Sequence, residues 1–239
     1  MTIQDQEQTR AAWDRQSITA ALAAAGIVGP ILFTVAFVVQ GLFRLDEYSP
    51  VAEVISALEA GPGGWVQQVN FVVFGLLTIS FAVGLHLGVR PTRWGVIGPS
   101  LLVLSGMALA WAAVFPLRED AAGLTYDPGL HIVGGLTYFL SSAFGLIVLS
   151  RRLAADPKWR SLASYVLVAG ITAVALFLVN GLLVIPDAAP LHPWAGVMQR
   201  VVLLVVLFPC TIVLALRLLR VARAADALRL STTTTGRQR

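Results

Sequence analysis

"AALAAAGIVGPILFTVAFVVQGLF", residues 20–43, carries no charged side chain and a single amide, Gln40. A bilayer core about 30 Å thick needs about 20 apolar residues in a helix to cross it, so this run is long enough. Runs of the same kind follow at roughly 66–89, 94–115, 130–150, 162–185 and 194–216. In hydrocarbon every backbone amide must bond within the protein, which selects helices. The connections are too short to hold a soluble domain. The fold class expected is all-α: a polytopic membrane protein with a bundle of six transmembrane helices and a short outer amphipathic helix. Residues 1–19 form a cytoplasmic N-terminal segment, 20–220 the membrane domain with the outer helix at about 50–60, and 221–239 a disordered cytoplasmic tail.

The whole chain agrees. Of 239 residues, 57% are hydrophobic and 13% charged, far from the balance of a soluble domain. The net charge of +4 does not point to nucleic acid, because the basic residues cluster by topology. The side that holds both termini carries Arg10, Arg15, Arg90, Arg93, Arg151, Arg152, Lys158, Arg160 and the arginines after Arg217; the other carries Arg44 and Arg118. The positive-inside rule then places both termini in the cytoplasm. Acidic residues Asp46, Glu47, Glu53, Glu59, Glu119, Asp120, Asp127 and Asp187 fall on the outer connections. Trp65 and Trp194 at the outer ends and Trp94 and Trp159 at the inner ends fit an aromatic belt. Cys210, the single cysteine, is read as a packing residue. No cleavable leader is apparent. Arginine supplies all but one of the 17 basic residues, which favours a bacterial plasma (inner) membrane.

The first connection contains "YSPVAEVISALEAGPGGW", residues 48–65. Val51, Val54, Ile55 and Leu58 follow helical spacing, with Ser49 as N-cap, Pro50 in the first turn and Gly61-Pro62-Gly63-Gly64 as the stop. About eleven residues at 1.5 Å each cannot cross a membrane. The expected arrangement is a helix on the outer surface, its apolar face on lipid or on the bundle and Glu53, Ser56 and Glu59 on the other stripe. G-x-x-G-P-x-L recurs at 26–32 and 95–101. It reads either as the trace of tandem hairpins or as the ordinary abundance of Gly and Pro in membrane helices.

Polar side chains inside spans are costly, so their depth is informative. Gln40, Gln67, Gln68, Asn70, Asn180, Gln199 and Arg200 all fall in the outer third. Such a layer suggests an outward-facing cavity. Arg200 either snorkels to outer headgroups, or meets Asp46, Glu47, Asp120 or Asp187, or grips an anionic ligand with its planar fork. The candidate ligand-binding set is Arg200, Gln199, Asn180, Gln67, Asn70, Ser56 and Glu53. Asp120, His131 and His192 could hold zinc with one open position. Each histidine could equally be a hydrogen-bonded structural residue. His86 reads as an interhelical hydrogen-bonding residue between Gly84 and Gly88. There is no P-loop, dinucleotide fingerprint or G-x-S-x-G elbow.

Gly29-Pro30, Tyr48-x-Pro50, Ile55-Ser56-x-Leu58, Gly64-Trp65, Phe115-Pro116 with Asp120, His131 and Gln199-Arg200 occur in that order. In this order and topology the chain resembles the bacterial six-span family catalogued as domain of unknown function 998, from about residue 20 to 216. The resemblance implies a six-helix integral membrane protein of unassigned activity and brings no catalytic residue or cofactor. The leading expectation is a protein that binds a lipid or an anionic small molecule in an outward-facing cavity, without a cofactor. Its partners are membrane lipids and not nucleic acid, and an oligomer is compatible with the chain. The alternatives are a metal-dependent membrane hydrolase acting on a lipid, with zinc, and a small-solute transporter.

Overall fold

A computed structural model describes the backbone of residues 3–121, 125–127, 129–184 and 188–236, with side chains over 17–121, 126–127, 129–184 and 188–224. Its helices are α1 (Ile3–Leu42), α2 (Trp65–Gly88), α3 (Ile97–Val114), α4 (His131–Ala154), α5 (Arg160–Leu183), α6 (Ala195–Val201) and α7 (Phe208–Gly236). A π-helical turn, Val202–Leu207, joins α6 to α7, and a 3₁₀ turn, His192–Trp194, precedes α6. Six segments are long and apolar enough to span a membrane: Ser17–Leu42, Trp65–Gly88, Ile97–Val114, His131–Ala154, Arg160–Leu183 and His192–Ala224. The π turn lies just ahead of Pro209, whose missing N–H breaks the regular α register.

Consecutive helices pack as neighbours, and α7 returns to close the bundle on α1. Gly84 and Gly88 let α2 press against Leu22 of α1 and Leu218 of α7. His86 between them is exposed and offers only its carbonyl. The core is aromatic where α1, α2 and α7 meet: the rings of Phe33 and Phe74 lie 4.7 Å apart, and Phe208 stands edge-on to both. The connections after α1, α3 and α5 gather at the end away from the termini, here the distal end. The other two lie at the terminal end.

At the terminal end Arg152 is 4% exposed. Its Nε donates to Arg90 O, Nη1 to Gly95 O, and Nη2 to His86 O and Val89 O. It therefore clamps the α2–α3 connection onto α4. Asp156 accepts from the Arg90 and Lys158 amides. Trp159, expected in the aromatic belt, is fully buried instead, its indole N–H on Gly88 O at 3.3 Å.

Two further expectations change. α7 stays helical to Gly236, where a disordered tail was expected from 221; its alanine-, leucine- and arginine-rich exit favours helix. The two G-x-x-G-P-x-L copies also differ in place. Pro30 sits inside α1 while Pro99 is in the first turn of α3, so the echo does not mark equivalent positions. At the distal end the α3–α4 connection holds a two-residue antiparallel pairing, β1 (Arg118–Glu119) with β2 (Thr125–Tyr126).

Candidate functional site: a cavity under the first distal connection

The stretch expected to be an outer amphipathic helix is not one. One helical turn forms at Ser49–Glu53, where the Ser49 hydroxyl accepts from Ala52 N–H and the Glu53 carboxylate from Ser49 N–H. Val54 then turns extended, and only Ile55–Glu59 coils again, as a 3₁₀ turn. All five of those residues are buried, so the segment plugs the bundle rather than lying on lipid. Side chains three apart eclipse in a 3₁₀ turn, which puts Ser56 and Glu59 on one side, facing in.

The polar residues of the spans hold this plug. Gln40 Nε2 donates to Leu58 O and Gly63 O, and Arg44 Nη1 to Leu58 O and Ala60 O. Gln199 Oε1 accepts from Ile55 N–H at 2.6 Å. Arg200 Nη1 donates to Glu53 O at 3.0 Å and Gly196 O at 2.9 Å, and Nη2 donates to the Tyr48 hydroxyl. Its guanidinium also lies over the rings of Phe37 and Tyr48, 5.6 and 5.8 Å from their centroids. The plug rests so closely on Gly196 that a Cβ there would come within 2.5 Å of the carbonyl oxygens of Pro50 and Glu53.

The ion pairs Arg44–Glu47 and His131–Glu59 do not involve Arg200. Asp187, one partner proposed for it, lies outside the described residues. Burial pushes the Tyr48 phenol up, against the pull of Arg200. Arg200 is thus a strap for the plug, and no described contact leaves it reaching for a ligand.

Beneath the plug lies a cavity of about 320 Å³, within the range of small-molecule sites, about 300–1,000 Å³. Phe33, Phe71, Phe74, Leu109, Phe139 and Phe177 give it apolar walls. Of the expected binding residues, Ser56, Asn180 and Gln199 line it together. Arg200 and Glu53 hold the plug. Gln67 and Asn70 are buried beside the cavity: Asn70 Nδ2 donates to Phe33 O and Gln67 Oε1, while Gln67 Nε2 is buried without a partner.

His131 also lines the cavity, and its surroundings decide its chemistry. Nδ1 faces Glu59 Oε2 at 3.1 Å, Phe115 O at 3.1 Å and Ala112 O at 3.2 Å. All three are acceptors, so Nδ1 carries a proton. Burial pushes the Glu59 carboxyl above its ordinary range, against the hydrogen bonds from His131 and from Leu117 N–H. This buried pair joins residues 72 apart in the sequence. Asp127, on the cavity rim, caps α4 by accepting from the amides of Gly129, His131 and Ile132. Burial acts to raise its carboxyl, and the three amides outweigh that and hold it low.

The proposed metal set does not converge. Asp120 is exposed, and His192 Nδ1 faces Val184 O at 2.9 Å. Among the described residues no three His, Cys, Asp or Glu side chains group as a metal site. Phe74 and Tyr138 also line a second, smaller space of about 30 Å³.

On one side the cavity is walled by α4 and α5. Ile132, Gly135, Leu136 and Phe139 present one face of α4 to it, and Phe177, Asn180 and Val184 one face of α5. Deeper in the bundle these helices touch closely, with a Cβ at Gly170 only 2.9 Å from Ala143 O. Towards the distal end a Cβ at Gly135 or Gly181 would meet nothing within 4 Å. Ile132 and Leu136 are both wall residues and exposed on the outside.

A profile of proteins of unknown function, DUF998, matches residues 27–217. The chain belongs to the DUF998 family. The match runs from early in the first span to the middle of the last helix, so it includes the plug, its straps and every wall of the cavity. No curated protein and no solved structure matches the chain.

Proposed function

We propose that this DUF998 protein binds the hydrocarbon part of a membrane lipid in the cavity beneath its plug, entered sideways between α4 and α5. The observation that carries this reading is an apolar cavity whose wall residues Ile132 and Leu136, on a span helix, are also exposed. A chain can pass from bilayer to cavity there without crossing a polar layer, so little free energy is lost on entry. The concentration of basic residues at the terminal end supports an orientation with both termini in the cytoplasm and the cavity in the outer leaflet. Arg200 serves this reading as a strap rather than as a ligand grip: three of its five N–H donors go to Tyr48, Glu53 and Gly196, and it does not line the cavity.

The test is a variant that fills the cavity without disturbing the fold. Gly135 is a wall residue with open space where a Cβ would go, and removing a helical glycine costs the helix nothing. Gly135→Trp should therefore fold and block. Native mass spectrometry of protein extracted in mild detergent is expected to show a lipid adduct on the wild type that is lost from Gly135→Trp. An equal adduct on both would refute the reading.

A further inference from the structure

Three polar side chains line the cavity while more than nine-tenths buried: His131 at 7% exposure, Ser56 at 8% and Tyr138 at 6%. Among the described residues none of His131 Nε2, Ser56 Oγ and the Tyr138 hydroxyl makes a hydrogen bond, and none is among the polar atoms sealed from solvent. The other polar wall residues are partly spent: Gln199 Oε1 on Ile55 N–H, and Asn180 Nδ2 on Leu176 O. Polar groups in a low-dielectric pocket favour a hydrogen-bonding partner, so three with spare capacity around one apolar space describe the polar part of an occupant.

Charge narrows the occupant further. Asp127 is on the wall and Glu59 stands directly behind His131. With His131 neutral these leave the walls negative. With His131 protonated, Glu59 cancels its charge and Asp127 remains. Among the described residues no free cation lines the cavity in either state. A phosphate or carboxylate headgroup would meet repulsion in both. An uncharged hydroxyl both donates and accepts, so it suits His131 Nε2 in either protonation state and both wall hydroxyls. We infer that the ligand is an uncharged, hydroxyl-bearing lipid, its head held among His131, Ser56 and Tyr138 and its chain passing out between α4 and α5. This rests on the lipid-binding reading above and gives it a headgroup.

Three single-chain probes separate the possibilities: monopalmitoylglycerol, palmitate at alkaline pH where it is ionised, and hexadecylamine. Each is titrated into the full-length protein in nanodiscs, against displacement of a chain-labelled fluorescent alcohol. The glycerol head is expected to bind about tenfold more tightly than palmitate, the worth of one or two buried hydrogen bonds. Ser56→Ala and Tyr138→Phe, which remove one oxygen each, are expected to shrink that preference while the chain still binds. Palmitate or the amine binding as well as or better than the glycerol ester would overturn the headgroup assignment. So would a preference unchanged in both variants. If none of the three probes binds, the lipid-binding reading itself falls, and with it this inference.

Discussion

Glu59 is the residue on which the site depends most. Its carboxylate is wholly buried, with Oε1 unpartnered and Oε2 shared between His131 and the Leu117 amide. Removing one partner of a buried pair costs about 3–5 kcal/mol because the other charge is stranded. His131→Ala should therefore be strongly destabilised at neutral pH. The carboxyl, already raised by burial, rises further without the histidine. A carboxyl whose folded pKa lies above its unfolded value destabilises fully above the folded pKa, and the penalty disappears below the unfolded one. Thermal unfolding of His131→Ala should then recover towards wild type on acidification, while Glu59→Gln/His131→Ala shows no such recovery. A deficit in His131→Ala that does not change with pH would remove the pair from the account.

At the scale of elements, tie residues decide which segments stay in place. Arg152 binds four carbonyls of the α2–α3 connection and its flanks. Arg152→Leu leaves them without a donor, at about 1–3 kcal/mol for each one that stays buried. The expected result is rapid tryptic cleavage after Arg93 in the variant (the Arg90–Pro91 bond resists trypsin), with the distal end still protected. Cleavage no faster than wild type would show that the clamp is dispensable. In the sequence Arg152 looked like one more basic residue at the inner face. The plug was misread for a related reason: Val51, Val54, Ile55 and Leu58 do keep helical spacing, but that periodicity cannot distinguish a surface helix from a broken segment pulled inward. What breaks it lies far along the chain, in Gln199 holding Ile55 and Arg200 holding Glu53 O, 144 and 147 residues away. The positive φ of Gly61 and Gly63, at 70° and 73°, then turns the chain back into α2.

Across the whole molecule, the six spans were legible because long uncharged runs admit one solution in a bilayer. Their ends agree with the helices to within a few residues at most boundaries. Part of the site was legible too: depth in the spans singled out Asn180 and Gln199, the stripe of the expected outer helix held Ser56, and His131 stood among the candidate metal ligands. What could not be read was which of these residues face an open space and which are consumed as straps, since that depends on packing between helices distant in sequence. Glu59 and Tyr138 were missed on those grounds, the first assigned to the polar stripe of the expected outer helix and the second, inside an apolar run, not singled out. The central claim is that the opening between α4 and α5 holds a lipid chain. Electron cryomicroscopy of the wild-type protein in lipid nanodiscs tests it most directly. The account predicts an elongated density that enters beside Gly135 and Gly181 and ends near Ser56, His131 and Tyr138. Helices α4 and α5 closed against each other at the distal end, with side chains filling that space, would contradict it.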